Sequence, residues 1–101
     1  MPTLMLLRVA GNGAQLEKAT AADPRNTQSI IATAKAHGLI THQFWATDTE
    51  LLVVDTWPDE QSFHDFFAEA GERIAAVMAA ASVTTEPEVT FYRKLDVGDE
   101  V

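Results

Sequence analysis

Apolar positions along the chain repeat with two different periods, and the order in which those periods occur predicts a fold. Leu4 to Val9 is a short, β-favouring run closed by Ala10-Gly11-Asn12-Gly13, residues that tolerate a tight turn. Residues 14–22 favour helix but are thinly apolar, so one or two frayed turns are expected before Asp23-Pro24 restricts the backbone. A firmer helix begins at about Pro24 or Thr27 and runs to His37, with Ile30, Ile31, Ala34 and His37 on one face and Gly38 as its stop. Ile40 to Ala46 and Leu51 to Trp57 are β-rich runs joined by Thr47-Asp48-Thr49-Glu50, which suits an antiparallel hairpin on a type I turn. Asp59 can cap the next helix, with Glu60 in its first turn and Pro58 placed to pack on Phe63. Phe63, Phe66, Phe67, Ala70, Ile74, Val77 and Met78 then recur at helical spacing to about Ala81. After the connection Val83 to Glu88, Val89 to Leu95 alternates as a last strand, and the tail from Asp96 is loose. This order, β-α-β-β-α-β, predicts a single ferredoxin-like α+β domain spanning 1–101, with two helices on one face of a four-stranded antiparallel sheet.

Such a sheet leaves its second face open to water, and that face should be polar. Strands one and three are instead apolar at successive positions, Leu4 to Leu7 and Leu51 to Val54, as in strands buried on both sides. A second copy of the chain is the simplest cover, so a homodimer through the open face is expected.

Composition narrows the partners. With 47% hydrophobic and 22% charged residues in 101, the chain is of ordinary globular type. Seven Lys and Arg against 15 Asp and Glu give a net charge of −8, which disfavours nucleic acid and anionic membrane surfaces. There is no cysteine, which removes disulfides, thiolate metal sites and cysteine nucleophiles. The apolar start is followed at once by Arg8 and has no basic region before it, so it is a first strand and not a leader, and a soluble cytoplasmic protein is expected.

The segment Val53-Val54-Asp55-Thr56-Trp57-Pro58-Asp59-Glu60-Gln61-Ser62-Phe63, with the element order and length, resembles the dimeric α/β-barrel superfamily and, within it, the antibiotic-biosynthesis-monooxygenase-like domains. Those domains end strand three on a tryptophan, cap the next helix two residues later and place an apolar anchor where Phe63 stands. The resemblance implies two sheets meeting across a barrel-like dimer interface, with a pocket between each sheet and its own helices. It also implies oxygenation of phenolic or quinol substrates with no metal, flavin or other cofactor. The histidine that commonly follows the tryptophan in oxygenase-like members falls near Phe66, and His64 is two positions early. The axial histidine of haem-degrading relatives falls mid-helix, where this chain has Gly71, Arg73, Ala75 and Ala76, so haem iron lacks a ligand.

Cofactor-free oxygenation needs an aromatic pocket, a base and donors for the developing anion. The catalytic candidates are His64, His42 and Trp57; the ligand-binding candidates are Asn12, Phe44, Phe66, Phe67 and Tyr92. Each has a plainer reading. Trp57 suits core packing, His64 a helix boundary exposed to water, and Asn12 a tight turn. His42 and Trp45 lie on opposite faces of strand two, as Phe91 and Tyr92 do on the last strand, and either member of each pair can face the helices. His37 is best explained by the helix C-terminus, and Arg8 and Arg93 by ion pairing. His37, His42 and His64 have no carboxylate at ligand spacing, Gly11-Asn12-Gly13 lacks the rest of a dinucleotide fingerprint, and no serine-hydrolase motif occurs. Two functions follow as alternatives: a metal- and flavin-free monooxygenase acting on small apolar phenols or quinols, and a non-catalytic dimeric module that binds an apolar ligand or a partner protein.

Overall fold

The computed structural model describes residues 1–101 and has the order β1 (Thr3–Ala10), α1 (Gly13–Ala22), α2 (Pro24–Ala36), β2 (Thr41–Ala46), β3 (Glu50–Trp57), α3 (Glu60–Ala80) and β4 (Glu88–Arg93). The strands form one antiparallel sheet in the order β2-β3-β1-β4, the ferredoxin-like arrangement. No helix is long and apolar enough to cross a membrane.

The difference from expectation is at residues 13–22, which form a ten-residue helix and not a pair of frayed turns. Two features supply what its thin apolar content does not. The Asn12 carboxamide oxygen accepts from the Gln15 N–H at 3.0 Å, capping the first turn, and Leu16 is buried against the core. Proline does break the chain where the restriction before it requires: Asp23 closes α1 and caps α2, with Pro24 at the first helical position, where it has no N–H to leave unpaired. The fold is therefore β-α-α-β-β-α-β, with three helices.

α2 ends as its glycine predicts. Gly38 has φ +96°, its N–H donates to Lys35 C=O and the Leu39 N–H donates to Ala34 C=O, which satisfies carbonyls the helix would otherwise leave free. A side chain at Gly38 would also strike Pro58, its Cβ falling 2.9 Å from the ring. α3 begins on Asp59, whose carboxylate accepts from both the N–H and the hydroxyl of Ser62 at 2.8 Å. These bonds favour the charged form and hold the Asp59 carboxyl below its ordinary pKa.

Alternation sorts the strands. Met5, Leu7 and Val9 of β1 and Leu51, Val53, Asp55 and Trp57 of β3 face the helices and are buried. They meet Leu16 of α1, Ala34 of α2 and Phe63, Phe66 and Ala70 of α3 in one continuous core. The other face carries Leu4, Leu6, Leu52 and Val54, with Trp45 and Tyr92 at 60% and 48% exposure. At its border the Arg8 guanidinium donates to Glu50 at 3.1 Å, and this carboxylate, with Glu88 further off, raises the arginine pKa.

Candidate active site

Between the sheet and the helices lies a cavity of about 480 Å³. Of the 26 side chains and backbone segments around it, 18 are hydrophobic, so its interior selects for apolar matter. β1 contributes Met5, Leu7 and Val9, β2 and β3 contribute Phe44 and Val53, α2 contributes Ile30 and Ile31, and α3 contributes Phe63, Phe66, Phe67 and Ile74. The connection before β4, Thr84 to Pro87, forms an exposed part of the rim.

Two polar groups interrupt the sheet wall of this cavity, His42 and Asp55. They are direct cross-strand partners, so their side chains rise from the same face of the sheet. His42 Nδ1 lies 2.7 Å from Asp55 Oδ1, and the Trp57 indole N–H donates to Asp55 Oδ2 at 3.2 Å. Asp55 is 4% exposed and Trp57 is fully enclosed, so the carboxylate is held from two sides in a water-poor setting. No buried side-chain nitrogen or oxygen in the molecule lacks a partner.

This geometry decides a tautomer. An ionised carboxylate only accepts hydrogen bonds, so the proton of neutral His42 sits on Nδ1 and is donated to Asp55. Nε2 is left with its lone pair and no protein partner, on a ring that lines the cavity. The ring is set edge-on to Phe44, with centroids 5.1 Å apart. A hydroxyl presented to Nε2 would meet a base whose orientation is already fixed.

The sequence candidates divide accordingly. His42, Phe44, Phe66 and Phe67 line the cavity. Trp57 stands behind it, packed on Phe63 and Phe66 and touching the site through Asp55. His64 is exposed on α3, its ring against Phe63 and Phe91 and away from the cavity wall. Asn12 is exposed with its side chain engaged in the α1 cap, because the Gly-Asn-Gly turn leads straight into a helix. Tyr92 projects from the opposite sheet face, opposite Leu4, since Phe91 takes the helix side. His37, at the end of α2, reaches Glu69 of α3 with its Nε2 at 3.1 Å. Asp55 was not among the candidates. Its signal was a charged residue in register with Val53 and Trp57 on a strand otherwise apolar on that side.

The same fold occurs in solved structures. A monooxygenase of Streptomyces coelicolor in complex with nanaomycin D superposes with a TM-score of 0.68 at 17% identity, over 94% of this chain and 88% of that one. The cofactor-independent oxygenase SnoaB of Streptomyces nogalater gives 0.57 at 17% identity, over 98% and 97%. A candidate antibiotic biosynthesis monooxygenase of Deinococcus radiodurans gives 0.60 at 13% identity, over 98% of each. The structural neighbours are thus antibiotic-biosynthesis-monooxygenase-like proteins, and at these identities what they share with this chain is the fold. No protein-family model and no curated protein matches the sequence.

Proposed function

We propose that this protein, which shares its fold with cofactor-independent and antibiotic-biosynthesis monooxygenases, is itself a metal- and flavin-free monooxygenase of small apolar phenols or quinols. The observation that carries the reading is His42, held through Nδ1 by Asp55, with Nε2 free of protein partners on a ring that lines an apolar cavity. His42 takes the proton of an aromatic hydroxyl. The resulting anion is electron-rich enough to give electrons to O₂, and a C–O bond forms at the ring. Loss of water then breaks the O–O bond: one oxygen stays on the ring as a carbonyl, the other leaves as water with the proton returned by His42 and the hydrogen lost from the attacked ring carbon, and the ring supplies all four electrons. A dry apolar cavity of roughly 150 Å³ holds a benzene ring. At about 480 Å³ this one has room for more than one ring.

The working unit in this proposal is a homodimer through the open sheet face, which leaves the helix-side cavity of each copy free. Oxygen uptake with naphthohydroquinones is the direct test. His42→Ala is expected to lower kcat by roughly a hundredfold or more, the usual contribution of a positioned base. Asp55→Asn, which reverses the hydrogen-bond polarity at Nδ1, is expected to lower kcat and shift its pH profile, with KM less affected. Binding without oxygen uptake across a panel of quinols would favour the non-catalytic module. That second reading is supported by a lining that contains no lysine or arginine to steady a developing anion.

A further inference from the structure

Of the five glycines in the chain, four have a local reason to be glycine. A Cβ at Gly11 would fall 2.9 Å from Leu51 Cδ1, and one at Gly13 would fall 2.8 Å from Ala46 Cβ. Gly38 and Gly98 have positive φ. Gly71 has neither excuse. It lies in the interior of the 21-residue helix α3, with helical backbone, and a Cβ built on it meets nothing within 4 Å. Glycine is the least favourable residue but proline at such a position, because it gives up the most backbone freedom on folding. The open space beside it is not bulk solvent alone, since Gly71 lines the same cavity as His42.

We infer that Gly71 is a specificity-determining residue of this cavity: the bare backbone of α3 at this position is the surface on which a flat ring of the ligand rests. Absence of a side chain lets a planar group approach the helix more closely than any other residue type would allow, and the neighbouring Phe67 and Ile74 flank that contact. Glycine here lowers the stability of the empty protein and enlarges what the cavity accepts, a trade common at binding surfaces. The inference rests on the reading that the cavity takes an apolar ligand, but not on its being an enzyme.

The experiment compares the full-length wild type with Gly71→Ala and Gly71→Leu, using thermal unfolding and fluorescence titration with the neutral probe N-phenyl-1-naphthylamine. Gly71→Ala is expected to raise the thermal midpoint by roughly 4 °C. It is also expected to weaken probe binding by about fivefold or more, with a larger loss for Gly71→Leu. Stability and binding thus move in opposite directions, which a merely structural glycine would not produce. A lower midpoint for Gly71→Ala would overturn the inference, as would unchanged probe affinity in both variants or no probe binding by the wild type. Probe binding that responds as expected, in a protein that consumes no oxygen with any quinol, would support the role of Gly71 and count against the oxygenase alone.

Discussion

The indole N–H of Trp57 is the smallest feature on which the proposed chemistry depends. It is one of two donors on the Asp55 carboxylate, the other being His42, and the three side chains form a chain from the core to the cavity. Trp57→Phe keeps an aromatic ring against Phe63 and Phe66 but removes that donor. The loss of a hydrogen bond to a buried carboxylate, together with the smaller ring, is expected to destabilise the protein by about 1–3 kcal/mol in urea unfolding. Turnover should fall too, because Asp55 is then free to rotate away from the orientation that holds His42. Unchanged stability and turnover would mean that the indole only fills space. The pair was nearly legible beforehand. A four-residue hairpin that sets Ala46 opposite Leu51 also sets His42 opposite Asp55, and a core-facing Trp57 puts both on the helix side. The β2–β3 register alone ties the orientation of His42 to that of Trp57.

At the scale of elements, α3 is the part most clearly written in the chain, since its start, apolar stripe and stop all agree. Its N-terminus carries a pH dependence whose sign follows from Asp59. The bonds from Ser62 lower the folded pKa of Asp59, so the unfolded chain binds its proton more readily in acid. The stabilisation is complete above the unfolded aspartate value, about pH 4, and is lost as pH falls through the lower folded value. Asp59→Asn keeps a capping oxygen without the charge. It is expected to flatten this limb of the thermal midpoint against pH below about pH 4, and to lower the midpoint near neutrality by about the height of the limb it removes. An acid limb identical in both proteins would show that other carboxylates carry it. α1 was harder to read because its stability lies in a cap and in one buried leucine, Leu16, and not in a repeated apolar stripe.

For the molecule as a whole, the unresolved demand is the open sheet face. Leu4, Leu6, Leu52, Val54, Trp45 and Tyr92 share it, with the Arg8–Glu50 pair at the border, so an apolar centre is ringed by polar groups. That layout supports the proposed pairing of two copies. Leu6, near the middle, is expected to be sensitive: in a symmetric pair Leu6→Asp acts twice, and dissociation should rise by roughly a hundredfold or more. Sedimentation or light scattering at micromolar concentration checks this, with a dimer expected for the wild type and a monomer for Leu6→Asp. A wild-type monomer would overturn the assembly while leaving the cavity of each chain unaffected.

Sequence alone determined the strands, the two long helices and the ferredoxin-like order, because periodicity, caps and turn residues are local and act on neighbours a few positions away. It also marked Trp57 as the point where β3 gives way to α3. Only the tertiary structure decided what stands next to that tryptophan. Asp55 and His42 are 13 residues apart in the chain and 2.7 Å apart at the cavity, while His64, far nearer to Trp57 in sequence, is turned outward by the geometry of α3. Which histidine meets a ligand depends on which strand faces pair and how a helix is rotated over them, and those are contacts between elements that no local pattern encodes.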